Sequence, residues 1–349
     1  MQTMANRFFK DFLPFVLLGY GFLAANFAFS QGVGVSKSGG GIVPERTLTE
    51  WLLRLHDASR NRSYTGTLVV SAGNAISSSR IWHVCDGSQQ LERVDTLSGP
   101  QRTTVRRNNE VVTFMPESRL TVVERRESLG LFPALLQTPS HSLAEFYGLR
   151  QPGGVERVAG FDAEVVEFVP RDEWRFGYRI WSEKKTGLVV KLQTLDAQQR
   201  VLEQVAFSEL SLDAPVRMDQ LIKMMKNRPG YTVQQLVATR TTPEAQGWRL
   251  RNPVPGFRTV AFHMRADASV QSAGTGAAQS VQWVFSDGLA SASVFVEPYD
   301  PGRHGAEVQM VTGATHSLSR RMDSFWVTVV GEVPPDTLRR FTQEMERLR

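Results

Sequence analysis

Residues 64–85, YTGTLVVSAGNAISSSRIWHVC, decide the fold class of this chain. Within them, residues 64–71 and 79–85 are rich in β-branched and aromatic side chains, which is typical of strands. Similar short patterns follow at roughly ten-residue spacing, the spacing expected of an all-β domain. These further patterns are residues 91–97, 103–107, 111–115 and 120–125. The sequence therefore predicts an antiparallel sheet that curls toward a barrel or sandwich.

Helical patterns border and interrupt this predicted sheet. Residues 48–55 (LTEWLLRL) have apolar side chains at helical spacing, with Thr47 or Thr49 available as the N-cap. Residues 129–136 and 142–149 are apolar and are predicted to be helical. Strand patterns then resume at residues 154–158, 163–169, 175–182, 188–195 and 201–209. We predict a mainly β domain over residues 46–213 that carries a helical insertion near its middle.

A second domain is predicted after a segment in which the regular strand pattern stops. Residues 214–246 contain one short helix pattern and the breaker Arg228-Pro229-Gly230, and we interpret them as a linker. The second domain occupies residues 247–349. Its strand patterns are residues 248–251, 259–265, 280–285, 290–296, 306–312 and 324–330. A final amphipathic helix is predicted over residues 336–348, after Pro334-Pro335.

The first thirty residues predict a signal peptide. Arg7 and Lys10 precede residues 12–29, which contain no charged side chain, and small residues stand near Ser30. This three-part pattern is typical of a secretory signal cleaved after Ser30. The alternative is an uncleaved anchor, because a run of about 18 apolar residues can just span a bilayer. Residues 31–45 are predicted to be a flexible lead, and the compartment predicted for the remaining chain is the periplasm.

Composition excludes several functional classes. The net charge of +5 is too mild for the dense basic stripe of a nucleic-acid-binding protein, so no nucleic acid is expected as a partner. A single cysteine, Cys85, rules out an internal disulfide bond. It is interpreted as a structural cysteine, since no base accompanies it in the sequence. The six histidines are scattered, and neither a nucleophile elbow nor a Walker A loop is present. We therefore predict neither an enzyme nor a protein with a metal or cofactor.

Two groups of residues are candidates for ligand binding. Four apolar side chains of the helical insertion are predicted to form a lid over an acyl-binding cavity: Phe132, Leu135, Leu136 and Phe146. The alternative is that they simply close the core. Four arginines on adjacent predicted strands are candidates for binding phosphates or carboxylates: Arg106, Arg107, Arg125 and Arg126. Here the alternative is a solvated face that also carries Glu124 and Glu127.

Three motifs of the second domain resemble the C-terminal domain of one known family. Residues 247–257 (GWRLRNPVPGF) resemble its Trp…Pro-x-Gly-Phe opening. Residues 285–295 (FSDGLASASVF) resemble its Ser-Asp-Gly-Leu hairpin, and residues 327–337 (VTVVGEVPPDT) its Val-Gly-Glu…Thr ending. Residues 64–67 and 178–181 match motifs of the first domain. By these motifs the sequence is similar to the MucB/RseB family of periplasmic negative regulators of the envelope-stress sigma factor (sigma-E).

This resemblance implies a mainly β fold of the α+β type. Its large domain would be an unclosed antiparallel β-barrel with a helical lid, similar to the periplasmic lipoprotein carriers. A smaller C-terminal β-sheet domain with a terminal helix would follow it. The implied partner is the periplasmic part of a transmembrane anti-sigma factor, which the protein would shield from the site-1 protease. Lipopolysaccharide or lipoprotein acyl chains would then release it.

Within the second domain, we expect aromatic side chains to anchor the anti-sigma factor. Trp248, Phe257 and Trp326 are candidates because aromatic residues are enriched at the centres of interfaces. The alternative for each is packing in the domain core. A plain periplasmic lipid or lipoprotein carrier is the rival function, but it would not need the second domain. Whether the chain forms a homo-oligomer, and which inducer it senses, stay open at this stage.

Overall fold

The computed structural model describes residues 46–86, 89–125, 143–266 and 279–348. The predicted signal peptide and flexible lead lie outside the described residues. So do Arg126, Phe132, Leu135 and Leu136, together with most of the predicted lid. In the part that is described, no helix is long and apolar enough to cross a membrane.

Short helices accompany the sheets in the described ranges. They are α1 (Leu48–Asn61), α2 (Leu143–Phe146), α3 (Met218–Lys226) and α4 (Pro335–Glu344), with a 3₁₀ turn at Glu244–Gln246. Helix α1 begins as predicted, with Thr47 as its N-cap. The Thr47 hydroxyl accepts from the Glu50 amide while the Glu50 carboxylate accepts from the Thr47 amide. This reciprocal pair satisfies two amides at the start of the helix that would otherwise lack partners.

The first domain is built on one large sheet. Among the described residues its strands are β1 (Tyr64–Ala72), β2 (Ala75–Cys85), β3 (Gln90–Thr96), β4 (Thr103–Arg107), β5 (Glu110–Met115), β6 (Leu120–Arg125), β7 (Tyr147–Arg150), β8 (Val155–Val158), β9 (Phe161–Pro170), β10 (Gly177–Glu183), β11 (Val189–Leu195), β12 (Val201–Leu212) and β13 (Thr232–Leu236). Their order is β13-β6-β5-β4-β3-β2-β1-β12-β11-β10-β9-β7, with β8 paired to β9. The end strands β13 and β7 are not paired with each other in this order, so the sheet is unclosed, as expected.

One face of the large sheet packs against α1. Trp51, Leu52 and Leu55 of this helix belong to the same buried cluster as Tyr64 and Ile81 of the sheet. Apolar residues at helical spacing on α1 thus meet the side chains that alternate along β1 and β2. We call this side of the sheet the inner face.

The second domain contains a smaller sheet and a two-stranded ribbon. The strands are β14 (Ala238–Arg240), β15 (Trp248–Leu250), β16 (Arg258–Ala266), β17 (Gln279–Ser286), β18 (Ser291–Pro298), β19 (Val308–Thr312), β20 (Thr315–Met322), β21 (Phe325–Gly331) and β22 (Met345–Arg347). The smaller sheet has the order β14-β16-β17-β18-β21-β20-β19, and β15 pairs with β22. Helix α4 packs against the sheet through Leu338 and Phe341, which lie in its core.

The segment interpreted as a linker contributes to both sheets. Leu221 and Met225 of α3 pack against Leu91 and Val105 of the large sheet. Strand β13 runs parallel to β6, and β14 runs antiparallel to β16. Only one residue separates these two edge strands. The sequence does not reveal this because the pairing depends on distant strands and not on any local pattern.

Several elements differ from the sequence prediction. The helix predicted over residues 336–348 ends at Glu344, because residues 345–347 form β22 and pair with β15. Residues 147–149, predicted as the end of a helix, lie in β7 (Tyr147–Arg150), which pairs with β9. Strand β20 was not predicted, because its sequence THSLSRRM is polar. Its polar side chains are nevertheless buried at Ser317 and Ser319, and the Ser319 hydroxyl lies 2.9 Å from that of Thr328 on β21. A cross-strand hydrogen bond can replace apolar contact at such a position.

Candidate functional site: the interface between the two domains

A buried ion pair joins the two domains. Nη1 of Arg175, in the loop between β9 and β10, lies 2.5 Å from Oδ2 of Asp287, in the turn between β17 and β18. Both side chains are completely buried. The Tyr147 hydroxyl donates to the same carboxylate oxygen at 3.0 Å. The amides of Leu289 and Ala290 donate to Oδ1, each at 2.8 Å.

The arginine is enclosed by polar and aromatic partners. Its Nε donates to Asp172 at 2.8 Å, and its Nη2 donates to the carbonyl of Pro255 in the second domain at 2.5 Å. Its Cζ lies 4.5 Å from the centre of the Phe146 ring and 5.3 Å from that of Phe257. Burial lowers the pKa of Arg175, but the hydrogen bond to Asp172 and the charge of Asp287 outweigh it, so the pKa is raised. The guanidinium is therefore charged, and its buried N–H groups donate to the partners that a buried charge needs.

The turn that presents Asp287 depends on a glycine. Gly288 has φ +103°, a conformation that only glycine adopts without strain. A Cβ at this position would also lie 3.3 Å from the side chain of Leu143 in α2. Close approach of the two domains and the shape of the turn thus both favour glycine here.

Side chains from each domain enter the core of the other. Trp174 packs against the buried cluster of the second domain, and its carbonyl accepts from the Thr337 hydroxyl at 2.8 Å. Leu289 of the second domain belongs to the buried cluster of the first. Arg340 of α4 lies over the Trp174 ring, 4.8 Å from its centre. Apolar side chains of each domain therefore pack against the other at this interface.

The three aromatic residues expected to contact the partner are buried. Trp248, Phe257 and Trp326 are 3%, 5% and 5% exposed. Trp248 packs edge-on against Phe325, and Phe257 packs edge-on against Phe341 of α4. The Trp326 ring is stacked on His304 with centres 5.0 Å apart. Little of these three side chains is exposed to solvent, so they pack in the core of the second domain and stabilise it.

The predicted arginine cluster is divided between two faces of the large sheet. Arg106 lies directly across from Glu92 of the neighbouring strand on the inner face, whereas the next residue, Arg107, points to the opposite face. Arg107 and Arg125 lie in one cross-strand row with Glu110 between them. The Arg107 Nε donates to Gln89 at 2.8 Å. The structure thus brings together two of the predicted arginines, and a carboxylate separates them.

A row of polar residues on the inner face was not anticipated. Tyr64, His83, Glu92 and Arg106 are direct cross-strand neighbours on β1 to β4. The Tyr64 and His83 rings are stacked at 5.0 Å, and the His83 Nδ1 lies 3.8 Å from a Glu92 oxygen. Burial lowers the pKa of His83 to about 4 and raises the pKa of Glu92 to about 7. Their isolated positions in the sequence gave no signal of this row.

Of the predicted acyl-binding residues, only Phe146 lies in a described range. It is half-buried at the end of α2, over the Arg175 guanidinium. A Cβ on Gly256 of the second domain would lie 2.8 Å from its ring. Phe146 is thus part of the interface between the domains. No group of three or more histidine, cysteine, aspartate or glutamate residues arranged to hold a metal ion occurs in the described ranges.

The interface was missed as a site by the sequence analysis, although one signal was available. Asp287 and Gly288 lie inside the Ser-Asp-Gly-Leu motif of residues 285–295 that carried the family resemblance. Its partner Arg175, more than a hundred residues earlier, stands in no quoted motif. Only the tertiary fold brings the two together.

Comparison with known proteins agrees with this two-domain architecture. Residues 47–225 match the model of the MucB/RseB N-terminal domain, and residues 242–346 match that of the C-terminal domain. The sigma factor AlgU regulatory protein MucB of Pseudomonas aeruginosa is 31% identical over 301 residues, covering 84% of this chain and 88% of that protein. The sigma-E factor regulatory protein RseB of Escherichia coli K12 is 23% identical over 304 residues, covering 84% of this chain and 89% of that protein.

Solved structures extend the comparison to three dimensions. The crystal structure of MucB in complex with MucA(peri) is similar with a TM-score of 0.65 and 27% identity, covering 87% of this chain and all of that one. The crystal structure of MucB alone gives a TM-score of 0.62 at 27% identity, covering 86% of this chain and 97% of that one. The N-terminal and C-terminal domain models of the family each match the corresponding part of this chain, and the chain belongs to the MucB/RseB family.

Proposed function

We propose that this protein binds the periplasmic part of a transmembrane anti-sigma factor and shields it from the site-1 protease. The observation that carries the proposal is the match of both domains to the family, together with the similarity to a MucB structure solved with MucA(peri). In this role the chain acts by binding and not by catalysis. It would operate in the periplasm after cleavage of its signal peptide at Ser30, which N-terminal sequencing of the exported protein tests.

The second domain is proposed to supply much of the contact with the anti-sigma factor. Trp248, Phe257 and Trp326 would act mainly by holding the domain in shape, since they are buried. A regulator of this kind must also couple its partner to an inducer, and coupling requires two arrangements that differ in affinity for each. The interface between the domains is the element through which such coupling would pass.

Lipopolysaccharide or lipoprotein acyl chains are proposed as the releasing ligands. The proposed acyl site is the inner face of the unclosed sheet with the insertion that carries Phe132, Leu135 and Leu136. Polar residues of the inner face, with Arg106 at the end of the row, would meet the anionic part of such a ligand. Homo-oligomers stay compatible with this proposal.

Calorimetric titration of the mature protein with the periplasmic segment of the anti-sigma factor from the same organism tests the proposal. We expect saturable one-site binding and slower cleavage of the segment by the site-1 protease in vitro. Hydrogen exchange of the complex then locates the contact, and we expect new protection within residues 247–348. Binding without any slowing of cleavage would contradict the shielding role. Protection confined to residues 46–213 would contradict the placement of the contact.

A further inference from the structure

The inner face of the large sheet becomes more polar toward strands β2 to β5. On β10, β11 and β12 the inner side chains are apolar and buried, as at Ile180, Leu192 and Val205. On β2 and β5 the same face buries the hydroxyls of Ser79 and Thr113. Each buried polar group needs a hydrogen-bond partner, so a face used only for acyl chains is better lined by apolar side chains. The polar part is therefore suited to the head group of an amphiphile and not to its chain.

The row of polar residues described above (Tyr64, His83, Glu92 and Arg106; here the polar row) runs from the core toward solvent. Tyr64 is 2% exposed, and the side chains of His83 and Glu92 are 7% and 15% exposed. Arg106, at the other end, is half-buried, and its Nε donates to the Asn108 carbonyl at 2.7 Å. Neighbouring strands lie about 4.8 Å apart, so two steps along the row separate His83 from Arg106 by about 10 Å. A ligand group that enters beside Arg106 can thus reach His83 along the row.

The imidazole of His83 lacks hydrogen bonds. Both ring nitrogens are buried, and neither has a hydrogen-bond partner among the described residues. The Glu92 carboxylate oxygen lies 3.8 Å from Nδ1, which is beyond hydrogen-bonding distance, and Tyr64 only stacks on the ring. Buried polar groups without partners are rare in folded proteins. The ring is therefore placed to receive a group from outside the chain.

The protonation state of His83 limits the chemistry of that group. Burial lowers the pKa of His83 to about 4, so at pH 7 the ring is neutral and offers one N–H donor and one acceptor nitrogen. A hydroxyl or an amide matches such a ring, because each of these groups can both donate and accept. A phosphate or carboxylate ion can only accept, which suits the guanidinium of Arg106 better.

We propose that the polar row is a head-group subsite in which the His83 ring hydrogen-bonds a hydroxyl or amide group of the releasing ligand. This subsite rests on the acyl-binding role proposed above and adds to it the chemical class of the head group. A ligand without such a group leaves the ring nitrogens buried and unsatisfied, which lowers its affinity. His83 then determines specificity, and Arg106 holds an anionic group where the ligand carries one.

Displacement of a fluorescent fatty acid from the full mature chain by two matched amphiphiles provides the test. Monolauroylglycerol and methyl laurate share their acyl chain and ester, and only the first carries hydroxyl groups. We expect the wild type to prefer monolauroylglycerol at least tenfold, because only this amphiphile can donate to the acceptor nitrogen of His83.

Three variants assign this preference to one side chain. His83→Phe keeps a ring beside Tyr64 but no nitrogen, and it should lose the preference. His83→Gln should retain it, since its amide still donates and accepts. His263→Phe, on β16 of the second domain, is the matched control and should keep the wild-type preference.

Nitrogen NMR of the wild type adds a measurement that does not depend on the folding of any variant. Saturation with monolauroylglycerol should shift the ring-nitrogen signals of His83 more than saturation with methyl laurate does. Equal shifts with the two amphiphiles would contradict a hydrogen bond between the ring and the hydroxyl group.

The outcomes separate the subsite from the proposed function. Equal displacement by the two amphiphiles in the wild type would overturn the subsite and leave acyl binding in place, and water would then satisfy the His83 ring. A preference that survives in folded His83→Phe, or that is also lost in His263→Phe, would overturn the role of His83. If neither amphiphile displaces the fatty acid, the acyl-binding role fails and the subsite fails with it. Binding of the anti-sigma segment is measured separately and does not enter these results.

Discussion

The guanidinium of Arg175 and the carboxylate of Asp287 lie 2.5 Å apart across the domain interface, and neither side chain is exposed to solvent. Burial raises the pKa of Asp287, whereas Arg175, two backbone amides and the Tyr147 hydroxyl act in the opposite direction. The pair is therefore surrounded by the hydrogen bonds that a buried charge needs. It fixes how the two domains face each other more than it adds net stability.

Removing one member of this pair should be costly. Asp287→Asn removes the fully buried counter-charge of Arg175 and leaves it only Asp172, which is partly exposed. Loss of one partner of a buried pair costs about 3–5 kcal/mol. Urea unfolding followed by far-UV circular dichroism measures this change. The control is Asp336→Asn, since its pair with Arg339 is exposed, with side chains 70% and 50% accessible. Exposed pairs contribute about 0–1 kcal/mol. Equal effects of the two substitutions would contradict a structural role for the buried pair.

Replacing both members should be tolerated better than replacing one. Arg175→Met combined with Asp287→Leu removes both buried charges, and apolar replacements of buried pairs are often neutral within a few kcal/mol. We expect the double variant to be more stable than Asp287→Asn alone. A double variant that is less stable than either single change would mean that the hydrogen bonds to Tyr147 and Pro255, and not the charge, dominate.

Gly313→Ala should loosen the interface as well as strain the turn. Alanine pays about 1 kcal/mol or more at a positive φ angle. At Gly313 its Cβ would also meet Ala72 at 2.7 Å. Gly160→Ala is matched for the first effect only, because Gly160 has φ +87° and nothing within 4 Å of the added atom. Thermal unfolding should show a clearly lower midpoint for Gly313→Ala than for Gly160→Ala. Equal midpoints would show that the hairpin moves without cost.

His83→Phe should remove a weakness of the fold in acid. The pKa of His83 is depressed by burial to about 4 from 6.5, so the folded state loses stability as the pH falls from about 6.5 toward 4. At pH 5 we expect the variant to be about 2 kcal/mol more stable relative to wild type than it is at pH 8. Urea midpoints at the two pH values measure this difference. Tyr64→Phe keeps the ring that stacks on His83 and should leave the wild-type pH profile unchanged; a shift of the same size in both variants would contradict the assignment to His83.

Leu136→Trp tests the proposed lid. If Leu136 lines an acyl-binding cavity, filling it should weaken binding of a fluorescent fatty acid more than it lowers the melting temperature. Leu97→Trp, at a position 55% exposed on the first domain, is the control for adding an indole ring. Unchanged fatty-acid binding with a loss of about 2 kcal/mol in stability would identify an overpacked core instead.

The sequence by itself determined the local elements of the protein. β-Branched and aromatic residues predicted β1 and β2, and the candidate caps Thr47 and Thr49 predicted where α1 begins, because these features depend on neighbours in the chain. The motifs at residues 247–257, 285–295 and 327–337 were enough to identify the family, since their order and spacing can be read from one sequence.

The tertiary structure alone decided which of these residues meet. Arg175 and Asp287 are separated by 112 positions along the chain. The residues around Trp248 and Phe257 do not indicate whether these side chains face solvent or a core. Arg106 and Arg107 point to opposite faces of the sheet because side chains alternate along β4, which the sequence analysis could use only once the strand and its pairing were known. Burial and ion pairing depend on how the sheets pack. Packing brings together residues that are far apart in the chain, and a local sequence pattern contains no information about such contacts.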